Sequence, residues 1–196
     1  MGATAIALVA LTVQAGATSA PRCEDRAGQT VFADRHMRIY QTIAGTGDET
    51  TLRVLVCVPG RRTQRLLERR DNNLDEASRV VSAARAGTFP VVEYNIEGGV
   101  ADEEQILEYG ARSTTRLARI TVNEDGSPAT YVVTRGGGIA LLAGGKAIGY
   151  DSAGRRVLSD GTASDLAAAG NHVYWTEGGA ARSAVLDGHP HGDLTA

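Results

Sequence analysis

The chain has 196 residues, long enough for one domain with a sizeable core, and its 42% apolar and 22% charged residues exclude global disorder. A formal charge of −3 at neutral pH excludes the broad basic field that would draw nucleic acid. Aromatic residues are few, at 5%, while glycine is abundant at 24 residues, a mix that suits short strands and tight turns better than long helices.

Residues 1–20, "MGATAIALVALTVQAGATSA", carry no charged side chain and read as a signal peptide. The run Ala3–Val13 is an apolar core too short to span a bilayer, which needs about 20 residues. Ala15-Gly16-Ala17 fits a small-residue cleavage pattern, with Thr18-Ser19-Ala20 as a looser alternative. No stable membrane insertion is expected once the segment is removed. The competing reading is an apolar first strand. The two cysteines, Cys23 and Cys57, agree with export, because in an oxidising compartment they form one disulfide. Its loop would stabilise the fold by ~3–4 kcal/mol on chain entropy. Two buried free thiols are the alternative. One lysine, Lys146, stands among 19 arginines, the codon bias of a GC-rich bacterial genome.

After the signal the chain reads as short β segments. Residues 29–43 suggest two strands and a tight turn, and in 51–58 Leu52, Val54, Val56 and Val58 alternate with Leu55 and Cys57. Pro59-Gly60 ends that strand. Residues 61–87 are ambiguous: Leu66 and Leu67 suit a strand pairing back on 51–58, whereas Leu74, Ala77, Val80 and Val81 suit a short helix over 74–86. Residues 88–99 predict a strand and turn, 103–126 two strands with a turn at Asp125-Gly126, and 129–161 three or four strands cut by glycines. Residues 164–188 end the ordered part, and 189–196 read as a flexible tail. The expected organisation is a single all-β domain over 21–188.

Four strands, "RVLVCVPG", "PVVEYNIEGG", "ATYVVTRGGG" and "HVYWTEGG", align on Cys57, Tyr94, Tyr131 and Trp175, spaced 37, 37 and 44 residues apart. A shorter echo pairs "YDSAGRRVLSDG" (150–161) with "WTEGGAARSAVLDG" (175–188). A period of ~40 residues holding about four strands is the pattern of a β-propeller blade, and four such units nearly fill the mature chain. Together with "VFADRHMRIYQ…LRVLVCV", these segments resemble uncharacterised secreted bacterial proteins with propeller-like β repeats. The resemblance implies about four blades, in a closed or an incomplete ring, and supplies no catalytic residues. A β-sandwich is the alternative all-β form.

No chemical constellation is complete. "HPHGD" places His189, His191 and Asp193 close in sequence, with Asp187 nearby, but in a tail they read as solvated rather than metal-binding. Asp71, Asn73 and Asp75 begin like a calcium loop, yet Glu76 and Ser82 stand where glycine and the bidentate glutamate belong. "GRRTQRLLERR" carries Arg61, Arg62, Arg65, Arg69 and Arg70 without aromatics, which suits a charged edge strand better than a single-strand nucleic-acid platform. "RGGGIALLAGG" lacks phosphate-loop and dinucleotide spacing, so its glycines mark turns and tight packing. Glu93, Glu97, Asp102, Glu103 and Glu104 form an acidic stretch.

The sequence reading is therefore an exported, non-catalytic binding or structural module without a cofactor. Its partner would be an extracellular or cell-envelope protein or glycan, not nucleic acid. The candidate ligand surface is Tyr174, Arg61, Arg62 and Arg65. The alternative is an extracytoplasmic hydrolase or lyase using the carboxylates near 93–104, or a histidine, at the mouth of a β-repeat ring. Trp175 reads as a packing anchor, with Tyr174 on the opposite face of its strand.

Overall fold

The computed structural model describes residues 21–47, 49–73, 75–98, 103–122 and 129–196. The signal expected at 1–20, Leu74, Asp102 and the turn at Asp125-Gly126 lie outside them. The fold is all-β, with no helix among the described residues. The chain lays down sheets in sequence. The first is β1 (Gln29–Ala33), β2 (Arg38–Thr46), β3 (Glu49–Cys57) and β4 (Gln64–Asn72). The second begins with β5 (Glu76–Ala86), β6 (Phe89–Gly98), β7 (Glu103–Tyr109) and β8 (Arg116–Val122). The third is β9 (Thr130–Val133), β10 (Ile139–Ala143), β11 (Lys146–Asp151) and β12 (Gly154–Asp160). The fourth has three strands, β13 (Ala163–Ala169), β14 (His172–Glu177) and β15 (Ala180–Val185). Finally β16 (Gly192–Thr195) returns to pair in parallel with β8, as a fifth strand of the second sheet.

Period-two alternation decides which faces are buried. On β3, Leu52, Val54 and Val56 pack against Val92, Tyr94, Leu107 and Tyr109 of the second sheet. Leu55 and Cys57 point the other way, where they meet Cys23 and Tyr40 under the N-terminal segment. The second sheet's other face, with Val91, Ile106, Ile120 and Val122, meets Ile139, Leu141, Ile148 and Tyr150 of the third. Ala140 and Ala147 then meet Val173 and Trp175 of the fourth. The apolar contacts thus run from first sheet to second, second to third and third to fourth. Among the described residues no apolar cluster joins the fourth sheet to the first.

Three expectations need correction. The helix considered for 74–86 is β5, hydrogen-bonded to β6 along its length. A bulge between Val80 and Ser82 puts Val80 against the core and leaves Val81 exposed, and the resulting adjacent pair of valines imitates helical spacing. The repeat anchors are also not equivalent: Cys57, Tyr94, Tyr131 and Trp175 fall on the third, second, first and second strands of their sheets. The shorter echo falls on matching elements, since 150–161 and 175–188 each run through the turn and the last strand of a three- or four-stranded sheet. Buried Tyr94, Tyr150 and Trp175 each anchor a sheet onto the one before it. Trp175 is the packing residue that its strand alternation suggests.

The flexible tail expected at 189–196 is instead a strap that ends in β16. Leu186 lies where a Cβ on Gly138 or Gly149 would sit, 2.5 Å and 2.7 Å from its side chain. The imidazole of His189 fills the space over Gly137, and Asn171 that over Gly136. This gives the Gly136–Gly138 run its reason: the side chains of Asn171, His189 and Leu186 lie over a backbone that has none. Further along, Tyr150 OH and Arg155 Nε donate to the carbonyl of Thr195 (both 3.1 Å), and the Ala196 N–H donates to Thr121 (2.9 Å). Asp193 lies near Arg116 and Arg119. Gly137 has φ +104°, and an added Cβ would stand 2.2 Å from His189 Nδ1. Gly137→Ala should therefore cost about 2 kcal/mol and release the strap. Amide exchange at Ala196 should quicken well beyond that in the first sheet; equal protection in both proteins would refute this role for Gly137.

Candidate functional site

Successive strands are joined at alternate ends, so in the first two sheets the β1–β2, β3–β4, β5–β6 and β7–β8 connections gather at one end. Between them lies a cleft of about 430 Å³, within the size range of small-molecule sites. Met37, Val56, Cys57 and Val58 form its apolar part. His36, Arg65, Arg85 and Arg112 also line it, with the hydroxyls of Thr63 and Thr88.

Each cation is placed by its loop. Asp34 shapes the β1–β2 turn, its Oδ1 accepting the N–H groups of His36 and Met37 at 2.8 Å each. Its Oδ2 accepts from Arg85 Nε at 2.7 Å. Partial burial pushes the Asp34 carboxyl up, but the His36, Arg85 and Met37 donors outweigh it and hold the pKa below the ordinary value. Arg65 reaches across to the β7–β8 loop, donating to the carbonyls of Gly110 (3.2 Å), Ala111 (2.8 Å) and Ser113 (2.6 Å). Burial lowers its pKa, and no carboxylate is among its partners. Arg112 is exposed on the same loop and makes no hydrogen bond or ion pair among the described residues. His36 is exposed at the rim, its Nε2 facing Arg35 Nε at 2.9 Å.

A second polar group lies between the second and third sheets. Glu93 of β6 and Glu104 of β7 are diagonal neighbours on one face of the sheet, and Glu104 Oε1 is buried with no hydrogen-bond partner among the described residues. Ser82 donates to Glu93 and lies 3.0 Å from the Tyr131 hydroxyl. Burial, then the neighbouring Glu93 carboxylate, push Glu104 up to about 7. Further along the same face, fully buried Glu108 meets His189 Nδ1 at 2.6 Å. Burial pushes Glu108 up to about 8 and, with the charge of His191, pushes His189 down, so burial favours the uncharged pair. His189 also packs on the Phe89 ring, 3.7 Å between centroids.

Of the four residues read as a ligand surface, only Arg65 enters the cleft. Arg61 and Arg62 are exposed on the β3–β4 loop beside the disulfide, where their carbonyls accept from Cys23 N–H and Arg26. Tyr174 is on the outer face of the fourth sheet, 42% exposed and stacked near His172, so it does not join the arginines. Arg69 pairs with Asp71, and Arg70 covers the Tyr94 ring and donates to Gln105. In the calcium-like stretch Asn73 Oδ1 accepts the N–H groups of Asp75 and Glu76, closing an ordinary β4–β5 turn. Asp187 is held by Asn171 and Ser152. No cluster of three or more His, Cys, Asp or Glu side chains fit to hold a metal occurs among the described residues.

No family model, curated protein or solved structure matches the chain. The site therefore rests on its own geometry. Sequence reading missed Arg85 and Arg112, each a lone arginine near a turn. Only pairing the two sheets end to end brings them beside Arg65.

Proposed function

We propose that the protein is an extracytoplasmic binding module whose ligand seat is the cleft between the first two sheets. The carrying observation is that cleft: about 430 Å³, lined by apolar side chains and by arginines, and built from four loops on a β frame. The Cys23–Cys57 disulfide supports an oxidising compartment, and no helix is long and apolar enough to cross a membrane. Secretion through residues 1–20 is part of this proposal. So is the reading of the serial meanders as propeller-like repeats, whose stacking leaves the connecting loops free to carry the seat. The natural occupant would come from the cell envelope or its surroundings, as a free molecule or as a group on a glycan or protein.

A hydrolase reading has one observation in its favour, the raised Glu104 beside Glu93. Neither carboxyl lines the cleft, and burial together with the neighbouring Glu93 carboxylate accounts for the raised Glu104 without a substrate. The test is amide-shift mapping of the folded protein against a fragment library. Shifts should concentrate at 36–37, 56–58, 63–65, 85–88 and 111–112. Hits confined to other surfaces would refute the cleft as the seat.

A further inference from the structure

We propose that the cleft selects a small organic anion: one carboxylate, sulfonate or phosphate head on an apolar body, with Arg112 as its principal cation. This rests on the cleft being the ligand seat. The argument is one of charge balance. Three arginines line the cleft, and no carboxylate does. Arg85 is neutralised by Asp34. Arg65 is satisfied geometrically by three carbonyls, which leave its charge uncompensated. Arg112 has neither charge nor hydrogen-bond compensation among the described residues. An anion entering here gains a planar five-donor partner at Arg112 and the field of Arg65.

The remaining lining sets the rest of the ligand. Met37, Val56 and Val58 offer only apolar contact, so the body beyond the head is apolar. No Phe, Tyr or Trp lines the cleft, which removes the stacking platform that a nucleobase would use. Thr63 and Thr88 supply hydroxyl donors for a second oxygen of the head.

Two dyes of nearly equal shape test this. Anilinonaphthalenesulfonate carries the anionic head, and N-phenylnaphthylamine lacks it. Fluorescence titration of the disulfide-intact protein should show the sulfonate binding at least about tenfold tighter, with added salt weakening it. Arg112→Ala should weaken it about tenfold, and Arg112→Lys should restore part of the loss. Val58→Trp, at an exposed lining position, should block both dyes. Equal affinities for the two dyes, or an Arg112→Ala affinity equal to the parent's, would overturn the anion assignment while leaving the cleft as a seat. Binding of neither dye, or sulfonate binding untouched by Val58→Trp, would overturn both.

Discussion

Replacing both Cys23 and Cys57 by alanine should lower stability by about 4 kcal/mol. The bond spans 34 positions, and the loop it closes in the unfolded chain accounts for nearly all of that figure on chain entropy. For a chain of this length the melting temperature should fall by about 10 °C. The loss has a place as well as a size. The bridge pins residues 21–28 over Tyr40 and Leu55, on the face of the first sheet turned away from the second. Arg38 reinforces the same segment through the carbonyls of Cys23 (2.6 Å) and Arg26 (3.2 Å). Urea unfolding should therefore show the first sheet weakening ahead of the third and fourth, as expected where each sheet packs only on its neighbours. An unfolding midpoint unchanged by the double substitution would contradict the assigned role.

The second large effect is alkaline loss of stability through Glu108. A carboxyl near 4.5 in the unfolded chain stands at about 8 in the folded one. The folded state therefore holds a proton that the unfolded state gives up. Stability is greatest below the unfolded value and falls as pH rises towards the folded one. His189 acts in the opposite sense. Its lowered pKa contributes stability above its unfolded value of 6.5, which is lost as pH falls below it. Between pH 6.5 and 8 the Glu108 effect stands largely apart from that of His189 and should cost about 2 kcal/mol. Glu104 adds a smaller loss of the same sign in the window between its unfolded value and about 7. Glu108→Gln keeps a donor for His189 and removes the titration. Its melting curve should flatten above pH 6.5, and at pH 8.5 the variant should outlast the parent. An identical alkaline slope in parent and variant would show that Glu108 does not govern it.

The all-β class was legible because glycine spacing and two-residue alternation act locally. The assignment of Leu52, Val54 and Val56 to one face and Leu55 and Cys57 to the other needed only the pleat, and the disulfide needed only the cysteine pair. Two features were illegible for a physical reason. A bulge such as that at Val81 breaks alternation by one residue, so the period-two pattern that marks a strand is lost across it. The end of the chain looked polar and unpatterned because its order comes from glycines roughly 40 to 50 residues away in sequence, which Leu186 and His189 meet only in the folded third sheet. The cleft falls between these cases. Arg65 stood out within a basic run, but the value of Arg85 and Arg112 depends on which loops share an end, a property of strand pairing rather than of any window of sequence. Glu93 and Glu104 stood out as part of an acidic stretch; adjacent antiparallel strands bring them together on one buried face.

The return of β16 to β8 also has a consequence for biosynthesis. When β8 leaves the ribosome, its outer edge is a row of open backbone donors and acceptors. It stays open until the chain has extended from Val122 to Gly192 and the parallel strand arrives. Every nascent chain thus carries an unsealed edge throughout the making of two whole sheets. Any product truncated before Gly192 keeps it, ready to pair with a neighbour on the same polysome.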